Sequence, residues 1–152
     1  MSKQSISLSY SAGGTWIGFS DQIKSTMDCL KIKTSSNESF YLQYRTWNKG
    51  MNGYYPYVKS TENDYAGSSG KPIQQLQIQA YRNDGTKLVS GVVVMYRAFV
   101  ENKWLPWVSN ADPEWMSSVQ VQYNLGGTLD VNSSYAGISG KNIEGIEVRA
   151  FE

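Results

Sequence analysis

Polar and apolar residues alternate with period two over several stretches of the chain. In residues 73–80, IQQLQIQA, the apolar Leu76, Ile78 and Ala80 alternate with glutamines. In residues 143–150, IEGIEVRA, Ile146, Val148 and Ala150 alternate with Glu147 and Arg149. Residues 27–34, MDCLKIKT, set Leu30 and Ile32 between lysines. Such alternation puts one row of side chains in a core and the other in water, so it predicts β-strands with one wet face. Residues 91–100, GVVVMYRAFV, are apolar without alternation and predict a more deeply buried strand. Asn83-Asp84-Gly85 and Leu125-Gly126-Gly127 are turn signals, because glycine tolerates positive φ. The one helical signal is ADPEWMSSV, where Asp112 can cap, Pro113 suits the first helical position and Glu114 follows in the first turn. It predicts a short turn of helix inside an insertion over residues 111–134.

The pattern recurs at a larger scale. YAGSSGKPIQQLQIQAY (residues 65–81) and YAGISGKNIEGIEVRAF (135–151) agree at eight of seventeen positions. Upstream of them, LQYRTWNKGMNGYYPYV (42–58) and VMYRAFVENKWLPWV (94–108) both open with apolar-x-Tyr-Arg and close with Pro-aromatic-Val. A divergent copy stands at the front: SISLSY (5–10) as an opening strand, GGTWIGFSD (13–21) as an aromatic hairpin, and MDCLKIKT as the closing strand. It lacks the YAGxSGK phrase. One such unit cannot bury its own apolar face, but three around an axis can. Residues 5–34, 42–81 and 94–151 therefore predict one all-β domain, a pseudo-threefold β-prism-like arrangement. A β-trefoil is the alternative, and an open β-sandwich the third choice.

Composition narrows the chemistry. At 152 residues the chain is long enough for one self-sufficient core. Fourteen Lys and Arg against thirteen Asp and Glu give a net charge of +1, with no basic block, which argues against nucleic acid or an anionic membrane as partner. The absence of histidine excludes imidazole bases, nucleophile–His pairs and imidazole metal ligands within the chain. The single cysteine, Cys29, permits no internal disulfide and reads as a small buried side chain. The N-terminal MSKQSISLSY lacks the apolar core of a secretory signal, and no stretch is apolar enough to span a bilayer. The expectation is a chain that is cytoplasmic as made, or a domain cut from a longer exported protein.

The aromatic load is heavy: five Trp, eleven Tyr and four Phe, beside only 18% charged residues. Trp16 and Phe19, Tyr54 and Tyr57, and Trp104 and Trp107 are each three apart in a hairpin, which is not the spacing of one strand face. At least one ring of each pair then reaches a loop edge. Adjacent Tyr54 and Tyr55 point to opposite faces if extended, and Trp47 stands just upstream. An aromatic face beside amides and carboxylates suits a sugar, which offers C–H patches and rim hydroxyls. Polar partners flank the second hairpin (Asn48, Asn52, Glu62, Asn63, Asp64) and the third (Asn102, Asn110, Asp112). Core or inter-unit packing is the competing role for Trp104 and Trp107.

Other chemistries fit poorly. YAGxSGK is not a phosphate loop, since Gly67 and Gly70 are too close and lead into a strand. Its glycines let the backbone turn sharply, with the serine hydroxyl on a turn amide. Lys71 and Lys141 read as solvated, or as meeting an anionic group on a wall polymer. Glu62/Asp64 and Asp112/Glu114 are local pairs with no apolar pocket, which predicts no glycosidase and no other enzyme activity. No EF-hand spacing occurs, and neither metal nor cofactor is expected.

The V-x-Y-R-A-x-V…W-x-x-W-V…A-G-x-S-G-K…I-x-x-I-x-V sequence of the third unit resembles the clostridial hydrophobic W-type repeat. The second unit carries Tyr54 and Tyr57 where that family has tryptophans, and the first keeps Trp16 and Phe19. A fainter similarity links the three units to jacalin-like β-prism lectins. Both resemblances imply attachment to carbohydrate or bacterial cell wall on exported proteins. The expected function is a non-catalytic carbohydrate-binding module or lectin that recognises a glycan or wall polymer through Trp16, Trp47, Tyr54, Tyr55, Tyr57, Asp64, Trp104, Trp107 and Asp112. The alternative is a protein-interaction or assembly module that self-associates through its aromatic hairpins.

Overall fold

The alternating segments fold as strands, and the described part of the protein is mostly β with one helix. The computed structural model describes residues 1–11, 15–18, 26–34 and 39–151. The front of the chain forms β1 (Ser2–Ser7), β2 (Ser9–Ser11), β3 (Thr15–Gly18) and β4 (Met27–Lys33). The middle forms β5 (Phe40–Asn48), β6 (Val58–Lys59), β7 (Ala66–Gly67), β8 (Ile73–Arg82) and β9 (Lys87–Leu88). The last part forms β10 (Val93–Val100), β11 (Lys103–Trp104), β12 (Val108–Ser109), α1 (Pro113–Gln122), β13 (Ala136–Gly137) and β14 (Gly145–Phe151).

Each of three sheets is built around one of the alternating strands. β4 lies between β1 and β7. β8 has β5 along one edge, and β13 and β9 along the other. β14 lies between β10 and β3. The second and third sheets match in register: Tyr44 stands opposite Ile78 and Val58, and Tyr96 opposite Val148 and Val108.

The two Ala-Gly segments have like surroundings. Ala66 and Gly67 pair with Leu30 and Cys29, while Ala136 and Gly137 pair with Leu76 and Gln75, the corresponding positions of the aligned phrases. Gly67 and Gly137 have φ of 110° and 115°. A Cβ there would collide with the carbonyl oxygen of Asp28 or of Gln74. Only glycine can lie this close to the neighbouring strand in this conformation. In the first copy the N–H of Gly70 donates to Asp28 Oδ2 at 2.9 Å, the task that the spacing had offered to a serine hydroxyl.

The front of the chain departs from expectation. β1 runs parallel to β4, whereas β5 and β10 run antiparallel to β8 and β14. β2 and β3 leave that sheet and complete the one centred on β14. Residues 5–34 are thus divided between two sheets rather than forming one unit. The physical reason is that alternation decides which face a strand buries, not which neighbour it takes or in which direction.

Inward residues of all three sheets, among them Ile6, Leu30, Ile32, Leu42, Ile78, Val94, Ile146 and Val148, meet in one core. Tyr44 and Tyr96 are fully buried in it. The Tyr44 hydroxyl donates to the Asp64 carbonyl at 2.8 Å, and the Ile78 N–H donates to the Tyr96 hydroxyl at 3.2 Å. A smaller core of Val93, Met95, Trp107, Met116, Val119, Leu125 and Phe151 packs α1 onto the outer side of β10 and β14. This explains the unbroken apolar run in β10: Val94 and Tyr96 face one core, Val93 and Met95 the other. The helix has ten residues, longer than the single turn expected. Asp112 occupies the N-cap position with extended backbone, but its side chain makes no capping bond. No helix among the described residues is long and apolar enough to cross a membrane.

Candidate functional site

The polar rows of the central strands are only partly wet: Lys33 is exposed and Gln79, Glu147 and Arg149 are half-buried. Gln74, Gln75, Gln77 and Lys31 are all buried. A buried amide needs hydrogen-bond partners, and β5, the hairpin after it and the turn after β13 supply them. Tyr54 donates to Gln75 Oε1 at 2.6 Å, Arg45 Nε donates to Gln77 Oε1 at 2.6 Å, and Gln74 Nε2 donates to Asn142 Oδ1 at 3.1 Å. Lys31 Nζ donates to Asn63 Oδ1 at 2.9 Å and lies 4.3 Å from the centroid of the Tyr65 ring. The alternation correctly separates core from non-core residues, but the second face is covered by the chain's own aromatic segments.

In the second and third sheets that cover is organised by an arginine. Arg45 Cζ lies 4.4 Å from the Tyr54 centroid and 4.5 Å from that of Tyr57. Arg97 Cζ lies 4.7 Å from the Trp104 centroid and 4.4 Å from that of Trp107. Each guanidinium belongs to the Tyr-Arg dipeptide within β5 or β10 and bonds the matching residue of the central strand: Gln77 for Arg45, Glu147 for Arg97. Ring contacts match as well. Trp47 meets Tyr54 edge-on with centroids 5.4 Å apart, and Phe99 meets Trp104 at 5.2 Å. Stacking on a guanidinium is favourable at partly buried sites, roughly 0.5–2 kcal/mol per ring, and it fixes ring orientation. Spacing of three residues between the hairpin rings therefore brings both onto one cation rather than sending one to a loop edge.

The expected site residues divide into groups. Trp47, Tyr54, Tyr55 and Tyr57 are half-buried and converge on the Arg45 hairpin. The Trp47 Nε1–H donates to the Met51 carbonyl at 3.1 Å, which anchors the turn that carries Tyr54. Trp104 is half-buried beside Arg97. Trp107 is 1% exposed, its Nε1–H donating to the Gly126 carbonyl at 2.7 Å, so the insertion covers its ring and leaves no face open to a ligand. Asp64 and Asp112 are exposed. Trp16 stands in β3 opposite Ala150 of β14 and Tyr10 of β2, and Phe19 lies outside the described residues. Two of the amides expected to serve a sugar are structural. Asn48 Nδ2 donates to the carbonyls of Asp28 and Lys71, and Asn110 Nδ2 to those of Leu88 and Val92.

Sequence inspection missed Arg45 and Arg97 as organisers of the site. Their signal was present: both follow a tyrosine at the same point of the duplicated phrase. Burial pushes the Tyr54 and Tyr57 phenols up, while the Arg45 charge pulls both the other way. The hydroxyls therefore stay protonated as donors at neutral pH. Two depressions lie nearby. One of about 150 Å³ runs between Leu105, Pro106 and Val108 and the segment carrying Asp130, Ser133 and Tyr135. The other, about 220 Å³, is polar and lined by Lys33, Thr34, Ser60, Thr61, Glu62 and Asn63. Among the described residues no group of three or more His, Cys, Asp or Glu is placed to hold a metal ion. The arrangement offers aromatic surface, hydroxyl and amide donors and a fixed cation. No protein-family model, no curated protein and no solved structure matches the chain.

Proposed function

We propose that this protein is a non-catalytic carbohydrate-binding module of pseudo-threefold β-prism-like architecture, related in plan to hydrophobic W-type repeats and β-prism lectins. It recognises a glycan or wall polymer through its aromatic hairpins, foremost the one carrying Trp47, Tyr54, Tyr55 and Tyr57. The observation that carries this is the half-exposed aromatic cluster held in place by Arg45 and flanked by amides. Rings fixed before binding lose little entropy on contact with a ligand. Three central strands, each receiving a segment from another part of the chain, support the threefold plan. Titration with a panel of oligosaccharides, followed by tryptophan fluorescence, tests the proposal. Saturable quenching or a blue shift that disappears in Tyr54→Ala and Tyr57→Ala, with unfolding still cooperative, is the expected result. Silence across glycans and purified cell walls sinks it.

A specific observation favours a second reading, that of an assembly module. Trp115 and Val121 of α1 are 40% and 82% exposed, and Val89, whose carbonyl accepts from the Asp112 N–H, is 45% exposed. Exposed apolar residues of this size can anchor a protein partner. Light scattering at increasing concentration separates the two: self-association that Trp115→Ser abolishes favours assembly.

A further inference from the structure

We propose that the Arg45 hairpin selects glycans that carry a carboxylate. This rests on the carbohydrate-binding reading and names the class of ligand for its principal site. The two arginine hairpins are alike in their rings and differ in charge. In the third sheet Arg97 Nε and Nη2 both donate to Glu147 Oε1, at 2.9 and 2.8 Å, and the guanidinium is neutralised inside the protein. In the second sheet the same position of the central strand is Gln77, a neutral amide, whose Oε1 accepts from Arg45 Nε at 2.6 Å. The ion pairs among the described residues are Arg97–Glu147 and Lys141–Glu101, so Arg45 has no internal counter-ion there. The Arg45 charge acts on both Tyr54 and Tyr57, and Arg45 also bonds the Tyr57 hydroxyl.

An arginine has five N–H donors and cannot lose its charge. Arg45 commits Nε to Gln77, also meets the Tyr57 hydroxyl and stacks on two rings, which leaves a fixed cation with donors to spare in a half-buried site. A carboxylate matches such a fork, because paired charge-assisted bonds are about twice as strong as neutral ones. Guanidinium is weakly hydrated, so its desolvation on binding costs less than that of an ammonium. The ring of a uronic acid would at once meet the aromatic cluster and present its carboxylate to Arg45. Glu147 supplies the internal control: where the protein places its own carboxylate, the arginine is already occupied.

The test uses the full chain, a galacturonic acid oligosaccharide, its methyl ester, and polyglutamate as a carboxylate polymer without sugar. The acid form is expected to bind at least about tenfold more tightly than the ester, with the difference shrinking as salt rises. In Gln77→Glu, which copies the Arg97–Glu147 pair, that preference disappears. Lys71→Ala and Lys141→Ala, on the exposed glycine turns, keep the preference. Equal binding of acid and ester by the unaltered protein overturns the inference and leaves the carbohydrate reading standing, a comparison that needs no variant to fold. Persistence of the preference in Gln77→Glu, its loss in either lysine variant, or equal binding of polyglutamate also overturns it. Binding of no saccharide overturns both.

Discussion

At the scale of single residues, the most constrained positions are Gly67 and Gly137. Positive φ and the carbonyl of the adjacent strand leave no room for a side chain. Alanine at either position is expected to destabilise the fold by about 2–4 kcal/mol, through backbone strain together with displacement of a paired strand. Urea unfolding measures it, and Gly70→Ala, which meets open space, should cost less. A second residue-scale effect concerns the buried phenols. Burial pushes Tyr44 up to about 12, and burial likewise raises Tyr54 and Tyr96. The folded pKa then exceeds the unfolded value of about 10, so the native state holds more protons than the unfolded one between the two. Stability is complete below about pH 10 and falls as pH rises towards 12. Phenolate absorbance should show one set of tyrosines titrating normally and another appearing only on unfolding; a single normal titration of all eleven tyrosines would contradict this.

At the scale of elements, the hairpins differ in how deeply they are tied to the fold. Trp107 belongs to the small core with Met95, Met116 and Leu125, whereas Trp104 covers Arg97 at the surface. Trp107→Ala is expected to cost about 3–5 kcal/mol, the range for emptying an aromatic site in a core. Trp104→Ala should cost about 1–2 kcal/mol, since it removes a stacking contact without opening a cavity. Chemical denaturation of the two variants tests the order, and equal losses would refute it. Their spacing with Pro106 was legible in the sequence, but the covering insertion was not. Its parallel bridge between Trp107 and Leu129 joins residues with no shared pattern. Helix α1 was foreseen from Asp112, Pro113 and Glu114 but drawn too short, because only Met116 and Val119 along it are buried and the apolar stripe is narrow.

At the scale of the molecule, the sheets are completed by exchange along the chain. β7 from the middle completes the sheet of β4, β13 from the last part completes that of β8, and β3 from the front completes that of β14. No sheet is closed by residues of its own segment alone, and inward side chains of all three share one core. Unfolding is therefore expected to be a single transition, with tryptophan fluorescence and far-ultraviolet circular dichroism coincident in urea. A chain that begins at residue 39 lacks β4, the partner of β7, and β3, one of the two partners of β14, and should not reach the native spectrum. Separate transitions for the two probes, or a native fluorescence spectrum in that shortened chain, would show that the exchanged strands do not couple the sheets.

The sequence by itself determined the strands and their inward faces, because period-two alternation in residues 27–34, 73–80 and 143–150 reflects a local geometric rule that each segment obeys alone. It also determined the two glycine turns, because the constraint on φ is local. The tertiary structure decided which strand each segment pairs with, as β1 and β3 show, and whether the second face of a strand meets water. Gln75 and Gln77 of β8 look solvated in the sequence and are buried in the fold, since a hairpin some twenty residues upstream returns to cover them. Arg45 differs from Arg97 for the same reason: whether a charge is answered depends on Gln77 or Glu147 in another strand, a contact that only three-dimensional packing creates.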